Sequence, residues 1–193
     1  LASDDDERRQ IQTRIGSIHE QLGHAEQAVA AYTAVLDMGV EAPAALAALD
    51  RLYLGLENWT ELADILRREL AVVEEHGEES EAGMKLPDRA TLRHRLGVVL
   101  QEHLDDAPEA VELFRQVLEY DPDHEDARVR LESWLDHDDL KVTVATILRD
   151  VYQRREEWPQ LVKVLEILAA AEEVTGERVA LLLEIGRIQA QQL

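Results

Sequence analysis

Residues of the same kind recur at a fixed spacing in the first third of this chain. The pairs separated by 34 residues are Ile15 with Leu49, Ala28 with Leu62, and Tyr32 with Leu66. A period of this length is typical of units that each contain two helices and a turn. One such unit cannot bury its apolar face alone, so the spacing predicts a stack of helical hairpins that share a continuous core.

Apolar residues at helical spacing, interrupted by glycine, proline or acidic turns, predict ten helices. This composition also favours helices, because alanine, leucine, glutamate and arginine are good helix formers and no window alternates like a strand. The predicted helices are 4–22, 25–38, 42–56, 59–76, 88–104, 108–120, 124–135, 140–154, 158–173 and 179–193.

Small and aromatic residues recur at matching places in two of these hairpins. In one, Leu96-Gly97 is followed by Ala110, Phe114 and Pro122; in the other, Ile15-Gly16 is followed by Ala28 and Tyr32. These residues resemble the tetratricopeptide repeat. In that pattern the small residues let the two helices approach closely while the aromatic ring fills the space beside them. The resemblance implies an all-α fold, an α-solenoid of antiparallel helix hairpins with about ten helices.

The hairpins that begin at Trp59 and Trp158 match each other more closely than they match the repeat pattern. Asp50 replaces the expected glycine and Leu62 the small alanine, so we expect the earlier hairpin to be splayed. The two tryptophans recur at matched places, which favours core positions over binding roles. Between Ala110 and Leu161 the spacing lengthens by one helix, which we assign to 124–135.

The repeats predict a single domain over 1–193. The polar segment 77–87, with two glycines and a proline, is expected to be a loop between possible sub-blocks 1–76 and 88–193. The absence of an initial methionine, and a last helical pattern that stops at Leu193, suggest a fragment of a longer protein.

The formal net charge of −21 argues against nucleic acid and anionic membranes as partners. No cysteine is present, so thiol chemistry is excluded, and no phosphate-binding loop or nucleophile elbow points to a cofactor or a catalytic site. We therefore expect a non-enzymatic, cytoplasmic protein without cofactors, whose partner is a protein or peptide. Only three of its 20 basic residues are lysines, a bias that suggests a bacterial source.

Two stretches approach known metal motifs, and each departs from its motif at a position that the motif requires. His19 and His24 are one residue further apart than in the His-Glu-x-x-His zinc motif, and Gly23 is expected to end the helix before His24. Asp121, Asp123, Glu125 and Glu132 follow the ligand positions of a calcium loop, but the place that needs glycine holds Asp126. We therefore expect no metal at either stretch.

By the same resemblance, the first helix of each hairpin lines a concave surface that binds a partner segment. The non-core positions of those helices are Gln10, Thr13, Ser17 and Gln21, then Ala47 and Arg51, then His94, Val98 and Gln101, then Thr146, Asp150 and Gln153, then Arg187 and Gln191. This lining is mostly neutral, which suits a peptide backbone, and Arg51 could hold an acidic side chain of the partner.

These positions contain no lysine or asparagine to clamp a C-terminal carboxylate, so a chaperone-tail clamp is rejected. The function predicted is therefore a protein-interaction scaffold. The alternative that remains open is a regulatory or spacer region of a larger multidomain enzyme.

Overall fold

The computed structural model describes residues 2–39, 42–77 and 87–193. Over these residues the chain forms ten α-helices and one π-helical turn, and none of these helices is long and apolar enough to cross a membrane. The helices are α1 Ala2–Gln21, α2 Ala25–Leu36, α3 Pro43–Gly55, α4 Trp59–His76, α5 Arg89–Val99, α6 Ala107–Tyr120, α7 Glu125–Glu132, α8 Lys141–Arg154, α9 Trp158–Ala171 and α10 Thr175–Gln191. The π-helical turn Leu100–Leu104 directly follows α5.

The predicted all-α fold class and the order of its helices are confirmed. Two predicted helix ends are wrong by three or four residues, and the other ends agree within two residues when the π-helical turn is counted with α5. The last helix begins at Thr175 rather than at Val179, because Gly176 lies in its first turn, where the backbone N–H groups lack intrahelical partners in any case. The helix α7 ends at Glu132 rather than at residue 135, and a series of turns follows it.

The helices divide into two compact units, Leu1–Asp106 and Ala107–Leu193. Within each unit every helix packs against the next one along the chain, which is the arrangement expected of consecutive hairpins. In the first unit α5 packs on α4. Most of the predicted loop 77–87 lies outside the described residues, and the single domain 1–193 with sub-blocks 1–76 and 88–193 stays a prediction.

The α1–α2 hairpin closes around a glycine, as the sequence predicts. A Cβ added at Gly16 would lie 2.8 Å from ring atoms of Tyr32, so only glycine allows this contact. Ala28, on α2, is fully buried. The Tyr32 hydroxyl donates to the Glu20 carboxylate at 2.7 Å, and burial followed by this hydrogen bond raises the pKa of Tyr32 to about 12.

The apolar stripe of α1 shares one face, as predicted, but that face is exposed. Its members are Ile11, Ile15, Ile18 and Leu22, which are 37% to 61% exposed. Ile185 and Ile188 on α10 follow Ile15 and Ile18 by 170 residues, five periods of 34, and are only 6% and 8% exposed. The two helices differ in their neighbours: α10 packs on α9, which precedes it, whereas in the described residues α1 packs on α2, which follows it.

The two tryptophan hairpins share one turn geometry. Glu57 and Glu156 precede α4 and α9 in the left-handed backbone conformation, with φ of 55° and 56°. The N–H after each glutamate donates to the carbonyl of a matched tyrosine, Tyr53 at 2.9 Å and Tyr152 at 3.0 Å. The internal similarity seen in the sequence therefore extends to backbone detail.

The second unit contains an aromatic core. The rings of Phe114 on α6 and Trp134 after α7 lie 6.1 Å apart, and both side chains are buried. The Tyr152 hydroxyl on α8 donates to the Glu132 carboxylate on α7 at 2.6 Å. The extra helix α7 is thus fixed between α6 and α8, a placement that the sequence spacing did not give.

Candidate functional site

A groove with a volume of about 520 Å³ runs beside α8 in the second unit. The helix α8, the end of α9 and the first half of α10 form its walls and floor. Its apolar lining consists of Val142, Leu168, Ala171, Ala180 and Leu181. A volume in this range holds several side chains of a ligand, and the apolar floor offers a place to bury one of them.

The polar lining of this groove is acidic. It contains four carboxylates, Asp150, Glu172, Glu177 and Glu184, and one guanidinium, Arg149. Arg149 donates to Glu184 at 2.8 Å, and Glu172 accepts a hydrogen bond from the backbone N–H of Val174 at 2.8 Å.

A smaller cavity of about 170 Å³ lies on the other side of α8. Its charged lining is mixed, with Arg115 and Glu119 from α6, and Asp150 and Arg154 from α8. Thr146 and Asp150 each line both cavities, so these two residues form a ridge between the cavities. The Thr146 hydroxyl donates to the Val142 carbonyl one turn earlier at 2.8 Å.

The predicted binding residues of the second unit fall into two pairs. Thr146 and Asp150 line the groove beside α8. Gln153 and Arg187 are exposed on α8 and α10 but do not form part of the groove lining. The structure therefore brings two of the four together.

The predicted binding residues of the first unit lie on α1, α3 and α5 and in the π-helical turn after α5. Gln10, Thr13 and Ser17 share a face of α1 and are exposed or half-buried. Arg51 on α3 is mostly exposed, and its guanidinium donates to the Ala47 carbonyl at 3.0 Å and to Glu20 at 3.2 Å. Its charge is thus already engaged within the chain. His94 on α5 and Gln101 in the π-helical turn are half-buried and have partners of their own.

The predicted set omitted the groove residues Arg149, Glu172, Glu177 and Glu184. Glu177 was missed because the last helix was expected to begin two residues after it. The others are not among the positions that the resemblance placed on the concave surface. The seven-residue spacing of Glu177 and Glu184, which places them on one helix face, is a signal in the sequence that could have identified them.

A partly buried charge cluster in the first unit involves the aspartate that replaces a repeat glycine. Arg95 on α5 forms two hydrogen bonds to Asp50 on α3, at 2.7 and 2.9 Å. Glu69 on α4 is 1% exposed, and its Oε2 lacks a hydrogen-bond partner. Burial, followed by the negative charge of Asp50, raises the pKa of Glu69 to about 7, although Arg95 opposes the shift.

The Asp50–Arg95 pair has a counterpart of opposite polarity in the second unit. Arg149 follows Asp50 by 99 residues, the spacing that relates the two tryptophan hairpins. Arg95 and Glu184 each stand directly before the Leu-Gly or Ile-Gly pair of their helix. In the first unit the earlier helix carries the acid, Asp50, and the later helix carries the base, Arg95. In the second unit the earlier helix carries the base, Arg149, and the later helix carries the acid, Glu184.

As predicted, α1 ends before His24, and the turn at Gly23 then brings His24 close to His19. Gly23 has φ of 74°, and the His24 N–H donates back to the His19 carbonyl at 2.9 Å, so the chain reverses. The two Nδ1 atoms lie 3.4 Å apart. In the described part of the chain, however, no group of three or more histidine and carboxylate side chains could hold a metal ion.

The carboxylates between Asp121 and Glu132, which follow the ligand spacing of a calcium loop, form hydrogen bonds around α7 and α8. Asp121 accepts a hydrogen bond from the Asp123 N–H at 3.1 Å, and Asp123 pairs with Arg155. Glu132 accepts from Arg128 as well as from Tyr152. These carboxylates therefore bind partners within the protein.

The two tryptophans begin helices, as predicted, but they are half-buried rather than fully buried. The ring of Trp59 stacks on His103 in the π-helical turn, with ring centroids 3.6 Å apart and planes 4° from parallel. The fully buried aromatic side chain is instead Phe114.

Consecutive antiparallel helix pairs with a 34-residue period define a helical repeat protein. Family models described as "Tetratricopeptide repeat" match residues 10–38 and residues 45–80. The chain therefore contains tetratricopeptide repeats in the α1–α2 hairpin and in the hairpin that includes Trp59. From the sequence pattern alone, the Trp59 hairpin was expected to match the repeat less closely.

Solved structures of other proteins are similar to this chain at low identity. They include YrrB, described as a TPR protein with an unusual peptide-binding site (16% identity, TM-score 0.40, 88% of this chain and 89% of that one). PilF of Pseudomonas aeruginosa matches at 15% identity and a TM-score of 0.35, over 98% and 87%. A thermophilic TPR protein of Thermus thermophilus, TTC0263, matches at 14% and 0.36, over 94% and 99%. No curated protein matches the chain.

Proposed function

We propose that this protein is a non-catalytic, cytoplasmic interaction scaffold and that a segment of a partner protein lies in the groove beside α8. Tetratricopeptide repeats generally mediate contacts between proteins, which supports the class of function. The observation that supports the location is the groove of about 520 Å³ between α8, α9 and α10.

The chemistry of the groove suits a peptide segment. Leu168, Leu181 and Val142 offer apolar surface to one or two anchoring side chains. Burial of such anchors gives most of the binding energy in small interfaces, while the polar rim fixes orientation. In this proposal Thr146 and Asp150 contact the partner directly, and the predicted residues of the first unit form a separate candidate surface.

The test is selection of binders from a displayed library of random 12-residue peptides. Ala180→Trp would fill the groove, while Ala190→Trp adds the same side chain on the same helix outside the groove lining. We expect selected peptides to bind the wild type and Ala190→Trp equally and to bind Ala180→Trp at least about tenfold more weakly. A library that yields no binder, or binders insensitive to Ala180→Trp, would refute the proposed site.

A further inference from the structure

The acidic groove beside α8 has an unbalanced charge. Of its four carboxylates, only Glu184 is paired with the groove's arginine, Arg149. Within the described residues, Asp150 on one wall and Glu177 on the other form no hydrogen bond or ion pair. The groove therefore faces any ligand with carboxylates that have no cationic partner.

Uncompensated carboxylates on facing walls select the charge of a ligand. A cleft with apolar walls focuses the field of such charges and raises the local concentration of cations. A guanidinium can bind a carboxylate through two hydrogen bonds, and its hydrocarbon stem can lie on apolar surface. Leu168 and Leu181 line the same groove as Asp150 and Glu177 and supply that surface.

We propose that the partner segment carries an arginine whose guanidinium lies between Asp150 and Glu177, next to an apolar anchor on the groove floor. This inference rests on the proposed function, because it names the chemistry of the segment that the groove binds. The net charge of −21 favours the same partner, since it speeds the approach of a basic segment. An acidic segment would instead add charge to a site already rich in carboxylates.

The experiment uses peptides selected on the wild-type protein. We expect them to be enriched in arginine beside leucine-like residues, and we expect replacement of the arginine by citrulline, a neutral analogue of the same shape, to weaken binding about tenfold. The double variant Asp150→Asn with Glu177→Gln should bind the arginine peptide about tenfold more weakly and should no longer distinguish it from the citrulline peptide. The matched control, Asp139→Asn with Glu166→Gln, removes two exposed charges outside the groove.

The outcomes separate this inference from the proposed function. Peptides that lose binding to Ala180→Trp but tolerate citrulline and the neutral double variant would leave the groove as the site and overturn the arginine proposal. Selection of acidic peptides would overturn it as well. An equal loss of binding in the control variant would show that only the general charge of the protein matters, which also contradicts the proposal.

Discussion

Replacing Glu69 by glutamine is expected to remove a pH dependence from the stability of the first unit. Glu69 is almost fully buried on α4, and one of its carboxylate oxygens has no hydrogen-bond partner. The charges that act on it are those of Asp50 and Arg95, which bind each other. An ionised Glu69 therefore adds a second negative charge to a site that has one positive charge.

The sign of the effect follows from the direction of the pKa shift. The pKa of Glu69 rises from 4.5 to about 7 on folding, so between these values the folded unit holds a proton that the unfolded chain has lost. The free energy of unfolding must then fall as the pH rises through this window. Its contribution is fully present below about pH 4.5 and is lost by about pH 7, a change of about 3 kcal/mol.

Urea unfolding at pH values from 5 to 8, followed by hydrogen exchange of peptides from α4 and α5, would measure this effect in the first unit. Glu69→Gln should flatten the pH dependence, while Glu61→Gln, an exposed change on the same helix, should keep the wild-type slope. Because histidines titrate in the same range, the difference between the two variants is the informative quantity. If wild type and Glu69→Gln have the same slope, the reasoning about the buried carboxylate is wrong.

Three further outcomes are expected. Arg95→Asp should destabilise the first unit by about 3 kcal/mol in urea unfolding, and adding Asp50→Arg should restore part of that loss, since the pair would be re-formed with reversed polarity. Gly16→Ala should destabilise by about 1 kcal/mol, because overpacking against the Tyr32 ring exceeds the gain in helix propensity, whereas Gly186→Ala, with open space around it, should stabilise slightly in the same assay. Elemental analysis of protein purified without added metal should find no stoichiometric zinc, since the close histidine pair at the end of α1 has no third protein ligand among the described residues.

The hairpins could be predicted from the sequence because their determinants are local. A helix is indicated by the spacing of its apolar residues, and a close approach of two helices by a glycine opposite an aromatic residue, as for Gly16 and Tyr32. The exposed stripe of α1 shows the limit of this reasoning. Ile15 and Ile185 stand at equivalent places in the pattern, and only the neighbouring helix decides which of them is buried.

The groove could not be predicted in the same way, because its lining depends on where helices begin and on how they pack. A change of four residues in the start of α10 brought Glu177 onto a helix that faces α8. The engagement of Arg51 by Glu20 is likewise invisible to periodicity, since the two residues lie on different helices, 31 positions apart. Ion pairs between residues on different helices therefore cannot be predicted from the spacing of residues in the sequence.

The two ion pairs of opposite polarity show what such charges can do in a repeat protein. Similar hairpins can stack in a wrong order during folding, because their apolar faces resemble one another. If the helix that carries Asp50 packed against the one that carries Glu184, two carboxylates would meet in a partly buried place, and Arg149 against Arg95 would place two guanidinium groups together. Each pair adds little stability after its desolvation, but a mismatched pair is costly. We therefore expect the Asp50–Arg95 and Arg149–Glu184 pairs to favour the native neighbours over the alternatives. The swapped Asp50→Arg and Arg95→Asp variant should then refold more slowly or less completely, although its pair is re-formed.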